Sequence, residues 1–248
     1  MSEEIQYLQR PQGEGMAYRT IKGDGPTLLW LGGFRSDMDG TKAEHLAAWA
    51  EAADQAFVRF DYFGHGASSG VFERGTISRW REDVLAAIDE LTTGPLILVG
   101  SSMGGWLACL AAAVRAERLA GMVLIAPAPD FTETLMKPSL PPQALAALQA
   151  DGVWTAPDDF GEGGYPITQA LLDDGARWSI LPGPLPIHCP VRILQGALDT
   201  SVPWTHALEL FHAIEGQDVT FTLVKDGDHR LSRPQDLERL IAAVAALT

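Results

Sequence analysis

The sequence predicts an α/β fold: a mostly parallel eight-stranded sheet, helices on both faces, and a small helical cap inserted above the carboxyl edge of the strands. Two observations carry this. Short, near-continuous apolar segments alternate with runs whose apolar residues recur three or four apart, the pattern of buried parallel strands and their covering helices. One interval, between Pro129 and Val191, breaks the rhythm and holds nine of the sixteen prolines, which argues against long regular elements there. At 248 residues a single α/β domain is feasible, with a core over 1–129 and 191–248 and a cap over 130–190.

In chain order, Ile5 to Gln9 and Ala17 to Ile21 flank the turn Pro11-Gln12-Gly13-Glu14-Gly15 and read as a hairpin. Apolar strands follow at Thr27 to Leu31, Ala56 to Phe60, Leu96 to Val99, Met122 to Ile125, Val191 to Leu194 and Val219 to Val224. Helical periodicity occupies Thr41 to Ala53, Ile77 to Leu91, Met103 to Arg115, Thr205 to Ile214 and Gln235 to Ala246. The cap interval has no convincing strand; short helices at Pro142 to Gln149 and Thr168 to Asp173 fit between its prolines. Its position places it where open α/β sheets bind ligands.

Composition narrows the function. A formal net charge of −14 opposes nucleic acid and anionic membrane surfaces, because that affinity rests on Lys and Arg displacing counterions. The longest strictly apolar run, Trp106 to Val114, is nine residues, whereas a membrane-spanning helix takes about 20, so no membrane insertion is expected. The acidic start Met1-Ser2-Glu3-Glu4 lacks the basic beginning of a secretory signal and the arginines of a transit peptide, and a cytoplasmic protein is expected. Two cysteines, Cys109 and Cys189, are too few for a disulfide framework, and Cys109 reads as a buried free thiol.

Gly100-Ser101-Ser102-Met103-Gly104 matches G-x-S-x-G between a strand and a helix. That context holds a serine hydroxyl above the sheet edge on a tight turn whose glycines leave room for the backbone. Ser102 is the nucleophile; Ser101 is not, because its second neighbours are Val99 and Met103. A serine needs a base and the base an orienting acid, in chain order Ser, acid, His. His229, after the last strand, is the base, and Asp199, after Val191 to Leu194, is the acid, with Asp130 as the alternative from the preceding strand. Asp226 and Asp228 read as turn residues, too near His229 in sequence to hold its far nitrogen. His45, His206 and His212 fall in helical runs as solvated or half-packed rings, and His65 and His188 lie in loops as candidate pocket-lining residues. The oxyanion donors are the backbone N–H of Met103 and that of Phe34, which follows Gly32-Gly33.

Competing chemistries lack their residues. Gly64-His65-Gly66-Ala67-Ser68-Ser69-Gly70 is one residue too long for a dinucleotide fingerprint, and no G-x-x-x-x-G-K occurs. No H-E-x-x-H or paired cysteine spacing suggests zinc, and neither cofactor nor metal is expected. The pairs Asp158-Asp159 and Asp173-Asp174 read as solvated turns.

With these residues the chain resembles the α/β-hydrolase superfamily over essentially its whole length. Within it the resemblance is to the mitochondrial palmitoyl-protein thioesterase and acyl-glucuronide esterase family with its bacterial relatives. It rests on Gly40-Thr41-Lys42-Ala43, Arg59-Phe60-Asp61-Tyr62, Trp80-Arg81-Glu82-Asp83-Val84, Leu98 to Trp106, Gly152-Val153-Trp154, Val202-Pro203-Trp204 and Asp228-His229-Arg230. It implies Ser102, Asp199 and His229 as the triad, and adds Trp154 and Trp204 as candidate substrate-binding residues. Arg35, beside the oxyanion loop, is a third, suited to a carboxylate such as that of a glucuronide.

The reading is thus a metal-independent serine hydrolase that cleaves carboxylic esters or acyl thioesters of small molecules or acylated proteins through an acyl-enzyme. A peptidase or carbon–carbon bond hydrolase on the same triad, or a non-catalytic small-ligand receptor, is the alternative. The apolar cap residues Phe131, Leu135, Met136, Leu140, Leu145, Leu148, Val153, Trp154 and Tyr165 are expected in part to line a pocket above Ser102.

Overall fold

The computed structural model describes residues 4–11, 13–157 and 164–248. Met1-Ser2-Glu3, the turn position Gln12 and the pair Asp158-Asp159 lie outside the described residues. The chain opens with β1 (Gln6–Gln9) paired antiparallel to β2 (Gly15–Ile21). It continues through β3 (Asp24–Leu31), α1 (Thr41–Ala52), β4 (Gln55–Phe60), α2 (Ile77–Leu91), β5 (Leu96–Ser101), α3 (Met103–Arg115) and β6 (Leu119–Ile125).

After β6 the chain leaves the sheet. A π-helical turn at Thr132–Met136 runs into the short α4 (Lys137–Ser139), then α5 (Pro142–Asp151), β7 (Val153–Ala156), β8 (Tyr165–Thr168) and α6 (Gln169–Arg177). It returns through β9 (Val191–Gly196), α7 (Trp204–Ala213), β10 (Val219–Val224) and α8 (Pro234–Ala245).

The main sheet has eight strands in the order β1-β2-β4-β3-β5-β6-β9-β10, with β2 antiparallel to β4 and the rest from β4 to β10 parallel. Every residue of β5 is buried, as an apolar strand covered on both faces must be. The edge strand β10 is only partly covered. Side chains of α2, α3 and α7 (Trp80, Trp106, Leu210) pack with one face of the sheet, and those of α1 and α8 (Leu46, Leu240) with the other. Because β3 lies between β4 and β5, the chain turns opposite ways from its two neighbours, and the loops after β3 and β5 meet at a topological switch point.

The excursion after β6 differs from the all-helical expectation. β7 and β8 form a two-stranded antiparallel ribbon with Trp154 opposite Ile167. Val153, Trp154, Thr155, Ile167 and Thr168 are β-branched or aromatic and suit extended backbone. Four residues per strand are too few for alternation to be legible, and a two-stranded ribbon tolerates Pro166, opposite Thr155, as an edge position. The segment has its own small core of Leu140, Ala144, Leu148, Ala156, Ile167 and Leu172. Thr168 caps α6 by accepting from the Leu171 N–H, and Gly152, at φ 74, ends α5 in the left-handed region.

Asp173 and Asp174 stand in α6 rather than in a turn. The Asp174 carboxylate accepts from Ser78 N and Ser78 Oγ, both at 2.7 Å, and so fastens this segment to the first turn of α2. Cys109 is a buried free thiol, and burial pushes it up to about 12. Among the described residues no helix is long and apolar enough to cross a membrane.

Candidate active site

Ser102 stands between β5 and α3 with φ 54 and ψ −117, a left-handed backbone that a side-chain-bearing residue adopts only where its surroundings impose it. The glycines two residues either side are what those surroundings require. A Cβ added to Gly104 would meet the Leu31 carbonyl oxygen at 2.0 Å, and one added to Gly100 would meet the Gly104 carbonyl oxygen at 2.5 Å. Ser101 closes β5 and is buried, whereas Ser102 opens onto a cavity.

His229, in the loop between β10 and α8, directs Nδ1 at Asp199 Oδ2, 2.7 Å away. Asp199 lies in the loop after β9 with its side chain fully enclosed. Four groups meet its carboxylate. Oδ1 accepts from Ser201 N at 2.9 Å and Val202 N at 2.8 Å, and Oδ2 accepts from Gln195 Nε2 at 3.0 Å besides facing His229. An ionised carboxylate so placed holds the proton of the imidazole on Nδ1 and leaves Nε2 as the acceptor.

The alternative acid has another task. Asp130 Oδ1 accepts from Ile180 N at 2.9 Å and Oδ2 from Leu181 N at 2.9 Å, so it ties the end of the excursion to its beginning. Asp226 pairs with Arg233, and Asp228 accepts from Leu231 N, both within the loop and helix that follow β10. His206 is buried rather than half-solvated, its Nε2 2.7 Å from the Pro129 carbonyl, and His188 is exposed beside Glu215.

Met103 is the first residue of α3, so its N–H has no carbonyl a turn earlier to bond. Gly33 lies against the elbow: a Cβ added there would be 3.5 Å from Ser102 Cβ. Phe34 follows it, and its ring packs among Phe72, Trp80, Phe131 and Tyr165.

Ser102, Met103, Phe34, Arg35, His229 and Trp154 line one cavity of about 920 Å³. The excursion supplies Phe131, Leu135, Met136, Leu140, Trp154, Tyr165 and Ile167 to its wall, while the loop after β9 supplies Thr200 to Pro203. Of the other apolar residues expected there, Leu148 is buried in the small core and Leu145 and Val153 are exposed. The Arg35 guanidinium stacks 4.2 Å over the Tyr165 ring.

Trp204, expected to touch substrate, is not part of this lining. It opens α7, 39% exposed, and the wall is made by its neighbour Pro203. A helix start at Trp204 sends its side chain to the outer surface.

Three residues around the site escaped the sequence reading as supports. Gln195, wholly buried, also donates to the Val202 carbonyl at 3.0 Å. Lys42 Nζ donates to the Arg230 carbonyl at 2.6 Å, next to His229, and burial lowers the amine to about 8 although Asp228 opposes this. His65 is buried and accepts from Arg35 N, in the loop after β3, at 3.2 Å. Gln195 stands at a strand end four residues before the acid, a legible signal, whereas the target of Lys42 lies 188 residues away. Among the described residues no cluster of His, Cys, Asp and Glu is arranged to hold a metal ion.

Residues 35–154 match the family described as serine aminopeptidase, S33. Over 97% of its length the chain is 36% identical to the mitochondrial palmitoyl-protein thioesterase ABHD10 of Rattus norvegicus, of which the match covers 81%. Two solved structures superpose along nearly the whole chain. A putative hydrolase from Agrobacterium vitis S4 is 42% identical with a TM-score of 0.94, covering 100% of this chain and 99% of that one. The mouse alpha/beta hydrolase domain-containing protein 10 is 35% identical with a TM-score of 0.90, covering 98% of each.

One expectation is corrected by these relatives. The thioesterases of rat, cattle and mouse that match 97% of the chain are named as mitochondrial, which overturns the cytoplasmic expectation drawn from four residues, two of them acidic. The charge of so short a stretch carries too little information to assign a compartment. With a mostly parallel eight-stranded sheet, a serine elbow at its switch point and relatives of this extent, the chain belongs to the α/β-hydrolase family that includes the thioesterase ABHD10, and is a hydrolase of thioesterase-like kind.

Proposed function

We propose that this protein cleaves acyl thioesters and carboxylic esters through an acyl-enzyme on Ser102, with the acyl group housed in the 920 Å³ cavity. The observation that carries the reading is that the strained Ser102 and the Asp199-held His229 open onto one cavity, of mixed lining, to whose wall the excursion adds a run of apolar side chains. His229 Nε2 takes the Ser102 proton as the oxygen attacks the acyl carbon, and Asp199 stabilises the imidazolium that forms. The Phe34 and Met103 amides hold the oxyanion, and His229 then returns the proton to the leaving group. Water repeats the cycle on the acyl-enzyme. No step calls for a metal or cofactor.

The names of the thioesterase relatives support an acyl thioester, including one on a protein, as substrate. The cavity volume lies near the top of the roughly 300–1,000 Å³ common for small-molecule sites, which supports an acyl group well beyond acetyl. A second reading, amide cleavage, is favoured by the aminopeptidase description of the family matching residues 35–154. A thiolate or alkoxide leaves more readily than an amide nitrogen, so the same triad works faster on esters.

The test is active-site labelling with a fluorophosphonate, followed by turnover of an acyl-chain series of thioesters, esters and anilides. Ser102 should be labelled stoichiometrically, and Ser102→Ala should lose on the order of 10⁴ to 10⁶ in kcat. Labelling at Ser101, unchanged turnover in Ser102→Ala, or anilides cleaved better than thioesters would overturn the proposal.

A further inference from the structure

The loop that carries the Phe34 amide is held in two places, once by a backbone bond and once by a side chain. Gly33 C=O accepts from Ser36 N at 3.1 Å, and because a peptide is planar and trans, the Phe34 N–H on the same unit points the opposite way. The next peptide is held by a side chain instead. Arg35 N donates to His65 Nε2 at 3.2 Å, and Arg35 sits at φ 61, a backbone that an arginine keeps only under constraint.

His65 is built to be that constraint. It is 4% exposed, with Tyr62, Phe72 and Trp80 edge-on around it at ring-centroid distances of 5.6, 5.1 and 5.2 Å. Its Nδ1 faces the Phe63 carbonyl at 3.1 Å. A carbonyl on one nitrogen and an N–H donor on the other select a single tautomer, hydrogen on Nδ1 and a lone pair on Nε2. Burial pushes the imidazole down to about 4, so the ring is neutral near pH 7, and a proton on Nε2 would set two donors against each other.

The ring's own loop is fixed in turn. Phe63 N donates to Asp83 Oδ2 at 2.8 Å, Trp80 Nε1 donates to the Phe63 carbonyl at 3.1 Å, and Ala67 N donates to Asp61 Oδ2 at 2.8 Å. A rigid base therefore reaches across the fold to the oxyanion loop.

We infer that His65 is a positioning residue for the oxyanion hole: by accepting the Arg35 N–H it fixes the peptide after Phe34, and so the aim of the Phe34 N–H toward the oxygen that becomes charged. The inference rests on the serine hydrolase reading of the site. It does not make His65 a catalytic residue, since its ring touches neither Ser102 nor the cavity that Ser102 lines.

Two variants test it in the full chain. His65→Phe keeps a ring of similar shape in the aromatic box and removes the acceptor, whereas His65→Gln restores an acceptor oxygen near the place of Nε2. With a thioester substrate, His65→Phe should lower kcat about 10- to 100-fold, somewhat less than deletion of a whole oxyanion donor, with KM within about twofold. Affinity for a trifluoromethyl ketone, which forms the oxyanion, should fall in parallel, and His65→Gln should recover kcat to within about fivefold of wild type.

A long-range nitrogen–proton NMR correlation of the wild type should find His65 protonated on Nδ1 and bare on Nε2. A proton on Nε2 overturns the inference whatever the activity. Ser102-dependent turnover that His65→Phe leaves unchanged overturns it alone. A wild-type protein with no Ser102-dependent turnover overturns the underlying reading and the inference together.

Discussion

His229 Nδ1 lies 2.7 Å from Asp199 Oδ2, across 30 residues of chain, and the same carboxylate accepts two backbone N–H groups and the Gln195 amide. The Asp199 carboxylate is thus immobilised by its own loop and by the strand-end amide as well as by the imidazole it faces. With Ser201 N and Val202 N still donating to Oδ1, an amide at this position stays in place when the charge is removed.

Asp199→Asn should therefore fold and lose about 10⁴-fold in kcat, the loss expected when the wrong imidazole tautomer faces the serine. Asp130→Asn should act on stability instead. It leaves one of the Ile180 and Leu181 amides poorly paired, at a cost of about 1–3 kcal/mol, with kcat within a few-fold. Steady-state kinetics and urea denaturation of both variants separate the two roles, and reversed effects would move the acid to the end of β6.

At the elbow, Gly104→Ala should be among the most damaging single-methyl additions in the chain. The new Cβ would meet the Leu31 carbonyl oxygen at 2.0 Å and the Gly32 carbonyl oxygen at 2.7 Å, and backbone does not yield as a side chain does. A loss of about 1–3 kcal/mol or more is expected by denaturation, together with loss of fluorophosphonate labelling. Gly40→Ala is the control: its Cβ would stand 3.7 Å from the nearest atom at φ −66, and its cost as a helix N-cap change should be about 1 kcal/mol or less, with labelling intact.

Chain-length preference should depend on the wall contributed by the segment between β6 and β9. Each methylene buried by the acyl chain contributes about 0.8 kcal/mol, so medium-chain thioesters should exceed acetyl in kcat/KM. Trp154→Ala removes part of that wall and should lower kcat/KM for an octanoyl thioester about tenfold while leaving the acetyl thioester within about threefold. Equal losses on both substrates would place Trp154 in folding rather than in acyl binding.

The loop after β4 carries a pH signature. Asp61 accepts from Met38 N and Ala67 N, yet burial outweighs these bonds and pushes its carboxyl up to about 6, above the roughly 3.9 of an unfolded chain. A carboxyl raised on folding contributes stability that is fully present below about pH 4 and is lost as the pH rises through 6. Asp61→Asn has no such titration. The difference in Tm, wild type minus variant, should therefore be most favourable to the wild type at pH 4 and shrink by pH 7; a difference constant with pH would contradict the burial argument.

The sequence by itself determined the eight strands of the main sheet and their covering helices, the elbow at Ser102 and the place of His229 after the last strand. These are local patterns: residue period along an element, glycines around a tight turn, a histidine after the last strand. Each is decided by neighbours a few positions away, and each is legible for that reason.

Partnerships of buried polar groups were decided elsewhere. Asp199 and Asp130 both follow sheet strands and look alike in sequence, but packing brought only one to His229 and set the other on backbone amides 50 residues on. Asp174 found Ser78 at a separation of 96 residues, His65 found the Arg35 amide, and Trp204 turned outward while Pro203 faced the cavity. A buried donor or acceptor must be matched by whatever the fold carries to it, and that match depends on the relative placement of whole elements. Only the tertiary structure decides it.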